Sequence, residues 1–445
     1  MSWAGKLSFL LICFAIFFTT IAYGGVHQPV LALFYLTTAS LLLLWVIDSL
    51  NAGVIKLDPS PFQLLLACAA AYGFVQVIPF GQWTDATITG ISGTISRDPF
   101  ATMVNSIHTV ALLVFFSVLL SLLDSVGRIR RFVNVLTIFG FVFAFYAILQ
   151  SILSPSKIFG IYEVRYAAPF GSFVNRHDYA AFIEMIVALP LAFLLTGVIH
   201  RDRRLLYVTM TSLMGISLLL SGSRGGFVAL IAEVFLMVLL TRRTHGHRSL
   251  LVRVSLAGAL ILIVIVGAIF VGGETSLSRF VETAQSKDIT TSRGHIWGVT
   301  LKVIAANMPF GAGIGAFGVA YTPFDTLSGM ERVEQAHNDY LQLAADMGLV
   351  GIILGIAFLY FFFKTGYRSL WIENRFRRSV AIGAFCGCFA VVVHSMFDFV
   401  LHITAVALVF ISLISLLVAA QKAYPDETRR RPAESGRRGE LTPLM

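Results

Sequence analysis

Residues 334–363 read EQAHNDYLQLAADMGLVGIILGIAFLYFFF, and the change of character within this stretch decides the fold. The first part carries Glu, His, Asn, Asp and Tyr side chains; from Met347 onward no charged residue appears until Lys364. An apolar helix of about 20 residues crosses about 30 Å of hydrocarbon, so the polar segment before it belongs at a membrane boundary. The whole chain extends this reading. Its 445 residues are 57% hydrophobic and only 13% charged, with a mean hydropathy of +0.82, whereas soluble domains carry about 25% charge. In lipid each backbone polar group must be satisfied internally, which helices do by themselves. The chain therefore reads as an all-α polytopic membrane protein.

Apolar runs long enough to span fall at 7–23, 29–50, 61–80, 104–123, 132–153, 178–198, 204–221, 225–241, 252–272, 346–363, 380–397 and 400–420. That predicts about twelve transmembrane helices. The first run follows only Lys6, lacks an A-x-A cleavage site and is followed at once by a second, so it is expected to be retained. Placing both termini in the cytoplasm assigns most of the 33 Lys and Arg to the inner face, as the positive-inside rule expects. The formal net charge of +9 is then a matter of topology and not of nucleic-acid binding, which would gather basic residues on one soluble surface. Three regions result: N-terminal helices over 1–153, a membrane region over 154–421 with a long loop at 273–345, and a basic, disordered, lipid-facing tail over 422–445.

Basic residues left on the outer face include Arg176, Arg224, Arg293 and Arg332, with Asp178, Glu184, Glu334, Asp339, Asp346 and Asp398 near them. Charges at the edge of a membrane helix are functional candidates. Cys13, Cys68, Cys386 and Cys388 all lie in apolar runs and read as small core residues.

The 273–345 segment is too long for an ordinary connection. A helix is expected from Ser292 to about Asn307, with Ile296, Trp297, Val299, Thr300, Val303 and Ile304 on its apolar side, and a second from Glu334 into the tenth span. Together they would form an ordered helical cap. Arg293 and Trp297 are four apart and share a face: either the guanidinium stacks on the indole or it holds a phosphate. Gly313, Gly315 and Gly318 make a formal G-x-G-x-x-G, but no βαβ unit surrounds it, so it reads as a bare loop that lets a bulky substrate approach. His337 and Gly348, eleven apart, would share one helical face. Arg224 sits in the short Ser221–Gly226 turn, where it either pairs with helix carbonyls or binds an anion. His394, Asp398 and His402 recur every four residues near a turn; as a metal set they lack further ligands, and either bundle contacts or support behind the site's own side chains is the expected role.

Taken in order, Asn175-Arg176-His177, Ser221 to Gly226, Arg293-x3-Trp297 with Pro309-x-Gly311-x-Gly313, His337-Asn338-Asp339-Tyr340 with Gly348, and His394-x3-Asp398-x3-His402 resemble the bacterial O-antigen ligase and polymerase family. The resemblance covers roughly 165–415. It implies a GT-C-like glycosyltransferase in the inner membrane, with a periplasmic active site, that takes a glycan from undecaprenyl diphosphate. Ligases pass it to lipid A-core and polymerases to another lipid-linked repeat; no cofactor, nucleotide sugar, metal or nucleic acid is implied.

The residues themselves suit that chemistry. Fixed cations would stabilise a diphosphate leaving group, with Arg224 and Arg293 foremost. His337 would act as general base toward the acceptor hydroxyl. Asn175, Arg176, Ser223, Trp297, Asn338, Asp339 and Tyr340 are expected to contact substrate. The rival from another class is a lipid-linked oligosaccharide transporter, which would place its charges at the midplane and show internal repeats; no repeat is evident in the sequence.

Overall fold

The computed structural model describes residues 2–55, 57–79, 93–164, 167–241, 293–326 and 333–422, with Val254, Ser255, Gly258 and Leu262 besides. The helices are α1 Trp3–Ile21, α2 Gln28–Ala52, α3 Pro61–Gln76, α4 Pro99–Leu122, α5 Val126–Leu153, α6 Arg176–Thr196, α7 Arg204–Leu220, α8 Arg224–Thr241, α9 Arg293–Asn307, the short α10 Phe317–Tyr321, α11 Asp339–Ser369, α12 Arg375–His394 and α13 Thr404–Ala419. A small hairpin pairs β1 Lys157–Ile158 with β2 Tyr162–Glu163. Among the described residues nine helices are long and apolar enough to cross a membrane, and α3 and α13 are shorter apolar ones. The protein is a multi-pass helical membrane protein. The predicted ninth span at 252–272 lies outside the described residues save for the four isolated positions; Arg332, most of the loop before Arg293 and the tail beyond Lys422 lie outside them as well. Each other predicted run coincides with a helix.

Local chemistry sets the helix starts. Gln63 Oε1 accepts from the Ser60 N–H at the opening of α3, which Pro61 begins, Asp98 caps α4 ahead of Pro99, and Asn175 and Asn338 cap α6 and α11. These are residues that satisfy orphan backbone N–H groups, with proline where no donor is needed.

Helices α6 and α12 form the centre. In α6, 89% of the spanning window is buried, against 28% in α11, so α6 is a core helix and α11 presents much of its surface to lipid. The two centre helices meet through small residues. A Cβ on Gly387 would stand 2.8 Å from the Met185 carbonyl oxygen, and one on Gly383 would stand 3.0 Å from that of Ala188. Close backbone approach of this kind is how apolar helices gain contact where hydrophobicity gives no drive toward each other. Helix α8 packs on both α6 and α12.

A second, small core lies beside the bundle. Val299 and Val303 of α9, Ala312, Phe317, Ala320, Tyr321, Ala336 and Ala345 pack there, and Val299, Thr300 and Val303 are the buried face of α9. Two expectations change. Helix α11 begins at Asp339, not Glu334, because His337 adopts φ +49° and Asn338 caps the helix that follows. Gly348 breaks that helix at φ 58°, ψ −137°, so His337 and Gly348 do not share one continuous face.

Candidate functional site

One end of the bundle gathers the starts of α6, α8, α9 and α11 and the turn between α12 and α13. Asp398 lies in that turn, buried, and its carboxylate collects the site. Arg293 donates from Nη2 to Oδ2 at 2.9 Å, His337 bonds Oδ1 through Nδ1 at 2.9 Å, and His177 Nδ1 stands 3.9 Å from Oδ2. The Phe399 N–H donates to Oδ1 at 3.0 Å. Burial alone would raise this carboxyl, but the hydrogen bond from His337 and the charges of His177, Arg293 and His337 outweigh it and hold the group below the ordinary carboxylate range. An ionised acceptor at Nδ1 fixes the His337 tautomer, leaving Nε2 as the nitrogen for another molecule. The ring is partly exposed, with a side-chain accessibility of 32%, and packs edge-on to Phe399 at 4.9 Å between centroids.

His177 extends the network. It bonds Ser223 Oγ through Nδ1 at 2.9 Å, tying the start of α6 to the turn before α8. Arg176 and Arg224 are the first residues of α6 and α8, and the described part of α9 opens on Arg293. Cations are normally unfavourable in the first helical turn, because the exposed N–H groups already make that end positive. Three such starts at one end of a bundle suit an anion. Both Arg176 and Arg224 are half-buried.

Other sequence candidates are held by local structure. The Asn175 Oδ1 accepts from the His177 N–H. Asn338 Oδ1 accepts from the N–H groups of Tyr340 and Leu341, at 3.0 Å each, while its Nδ2 donates to the Met396 carbonyl. Tyr340 Oη donates to the Val392 carbonyl at 2.6 Å. Asp339 accepts from Ser395 Oγ at 2.7 Å and bonds His402 Nδ1 at 3.1 Å. These contacts fasten the start of α11 to the 394–402 turn and thereby place His337 opposite Asp398.

The suggested stack of Arg293 on Trp297 is replaced by the Asp398 pair, and the buried Trp297 indole N–H has no acceptor among the described residues. The glycine loop also has a different use. Ala312 and Gly313 donate to the carbonyls of Ala345 and Asp346, and Leu349 donates to that of Pro309. A Cβ on Gly348 would overlap the Pro309 carbonyl, and one on Gly311 would overlap that of Asp346. The bare backbone at Gly311 makes room for the break in α11, and that at Gly313 and Gly315 for Ser96, Thr102 and Asn105 near the start of α4.

His394, Asp398 and His402 do not converge. His394 bonds the buried Glu184 through Nδ1 at 3.1 Å, and the other two join separate partners. Asp398 and His177 are the members of the network that sequence reasoning did not place among the site residues. The four-residue spacing that pointed to Asp398 was visible, and was ascribed either to bundle contacts or to support behind the site's side chains; the second is the arrangement found.

Residues 209–356 match the family model described as O-antigen ligase. The match supports the resemblance to the O-antigen ligase and polymerase family over that third of the chain. The matched segment contains Arg224, Arg293 and His337, whereas His177 and Asp398 lie outside it. No curated protein matches the chain.

Proposed function

We propose that this chain is an inverting glycosyltransferase of the O-antigen ligase family that moves a glycan from undecaprenyl diphosphate to a hydroxyl of lipid A-core or a similar acceptor, working without a metal on the periplasmic side of the inner membrane. The observation that carries the reading is that His337 and Arg293 are held on one buried carboxylate, Asp398. A proton acceptor and a fixed cation thus meet at one point, at the end of the bundle where Arg176 and Arg224 open two further helices.

In this reaction the acceptor hydroxyl gives its proton to His337 Nε2 as its oxygen attacks the anomeric carbon. The bond from that carbon to the diphosphate oxygen breaks and its electron pair stays on the diphosphate. Products are the glycosylated acceptor and undecaprenyl diphosphate, with inversion at the anomeric centre. Arg293, together with Arg224 and Arg176, offsets the charge that develops on the leaving group. Asp398 keeps the imidazole oriented and stabilises it once protonated, as a carboxylate does behind a catalytic histidine.

The test is transfer from a lipid-linked glycan to acceptor by purified protein, with His337→Ala as the variant. General base catalysis contributes about 10²–10⁴-fold, so a loss of that size is expected with insertion and folding unchanged and with full wild-type activity in EDTA. Wild-type rates in the variant would remove His337 from the role. A deletion strain assigns the acceptor: bare core with accumulated lipid-linked polymer marks a ligase, single-repeat products a polymerase.

A further inference from the structure

The end of the bundle opposite the Asp398 network carries cations of its own. Helix α1 finishes beside that network: a Cβ on Gly24, just past its end, would stand 2.8 Å from Phe173 and 3.2 Å from Ile403. Near the end of α5, Gln150 Oε1 accepts from the Gly171 N–H at 2.9 Å. The starts of α1 and α5 therefore lie at the far end. There a cavity of about 220 Å³ is lined by Lys6, Phe9, Leu10, Arg128 and Arg131.

Spacing along two helices brings these cations together. Arg128 and Arg131 are three apart and Lys6 and Leu10 four apart, so each pair shares a face of its helix. Lys6 and Arg128 also stand in the first turns of α1 and α5, ends that are already positive. Membrane orientation asks only that cations lie on one side; it does not require three of them around one cavity. Their engagements differ. Arg128 pairs with Asp124 at 2.9 Å and donates to the Leu122 carbonyl, and the neighbouring Arg130 lies over the Phe376 ring at 4.7 Å. The exposed side chains of Lys6 and Arg131 have no hydrogen bond or ion pair among the described residues. The nearby carboxylates, Asp48 and Asp124, line an adjoining cavity that shares only Arg128 with this one.

Beneath the cations the wall is apolar. Phe9 packs edge-on to Phe132 of α5 at 6.2 Å between centroids. Leu10 is 62% exposed and Phe14, one turn further along α1, 43%, so an apolar stripe leads from the cavity toward the middle of the membrane. A free phosphate would leave that stripe bare, and a lipid without net charge would leave the cations uncompensated. We propose that the cavity seats an anionic phospholipid of the leaflet at this end, with its phosphate diester between Lys6, Arg128 and Arg131 and an acyl chain along Leu10 and Phe14. Basic pockets between membrane helices hold headgroups of this charge.

The experiment titrates delipidated full-length protein in detergent with phosphatidylglycerol, phosphatidylcholine of the same acyl chains, and glycerol 3-phosphate, reading retained ligand by native mass spectrometry. Phosphatidylglycerol is expected to be retained about tenfold over phosphatidylcholine, and Lys6→Gln with Arg131→Gln to bring the two near parity. Arg131→Gln alone keeps Lys6 for insertion should the double variant fail, and is expected to lower the ratio about threefold. Arg368→Gln with Arg375→Gln makes the same charge change on exposed residues where α11 ends and α12 begins, and is expected to leave the ratio unchanged. Equal retention of both lipids by the wild type overturns the site, as does an unchanged ratio in a folded cavity variant. A control that lowers the ratio as much as the cavity variant assigns the effect to diffuse surface charge and also overturns it. Glycerol 3-phosphate displacing the lipid as well as phosphatidylglycerol does would overturn the phospholipid as occupant.

Discussion

The Asp398 network and the junction of Pro309–Gly315 with Gly348 lie at the same end of the bundle, and both grow from segments that look like motifs. They use the chain in opposite ways. Around Asp398 the backbone is scaffold and the side chains present nitrogen atoms: His337, Arg293 and His177 approach one carboxylate. At the junction the side chains are absent by design and the backbone itself pairs, Gly313 to Asp346 and Leu349 to Pro309. The first region holds the proposed chemistry and the second holds geometry. A mutation in one should therefore lower turnover at constant fold, and in the other should lower the folded population.

The largest separation is expected at Asp398. Asp398→Asn keeps the shape but cannot stabilise a protonated His337, and transfer should fall by about 10²–10⁴-fold in protein that still folds, with a lower melting temperature at neutral pH. Asp398→Ala also strands the Arg293 and His337 donors, and breaking a buried pair costs about 3–5 kcal/mol; because both partners keep some solvent contact, 19% for Arg293 and 32% for His337, the low end is expected. The acid dependence follows from the lowered carboxyl. As pH falls, the unfolded chain takes up its proton first, so the stabilisation is complete above the ordinary carboxylate range and drains away below it. Melting temperatures of wild type and Asp398→Asn should thus converge below about pH 4. A constant gap down to acid would detach Asp398 from this role.

Gly348→Ala probes the other region. A residue at φ 58°, ψ −137° with a Cβ set against the Pro309 carbonyl pays about 1–3 kcal/mol in backbone strain alone. The expected result is a lower yield and melting temperature, with the surviving folded protein retaining turnover within severalfold. A stable variant with lost turnover would make the junction part of the chemistry.

This contrast also marks what the sequence could disclose. Hydropathy located the helices because lipid imposes one signal on every span, and the apolar side of α9 was legible from Val299, Thr300 and Val303. The gathering of Arg293 and His337 was not, since their common partner Asp398 is 61 residues from His337 and only tertiary packing joins them. His337 φ and the Gly348 break are backbone choices that no spacing rule reports. For that reason a glycine motif read as room for a substrate is seen packed against neighbouring segments, and a carboxylate read as bundle contact or as support for the site's side chains is seen to join Arg293 and His337.

The smallest effect should come from Asn338, which sits between the two regions. Its Oδ1 caps α11 and its Nδ2 reaches the Met396 carbonyl at 3.0 Å, so both ends of the amide are engaged by protein although the residue was expected to touch substrate. Loss of an N-cap costs about 1 kcal/mol. Asn338→Ala should lower the melting temperature by a few degrees and leave the KM for acceptor and donor unchanged, whereas Asn338→Ser should recover most of the stability by restoring the cap. If the alanine variant instead raised KM at unchanged stability, Asn338 would belong with the chemistry around Asp398 and the boundary between the two regions would move by one residue toward α11.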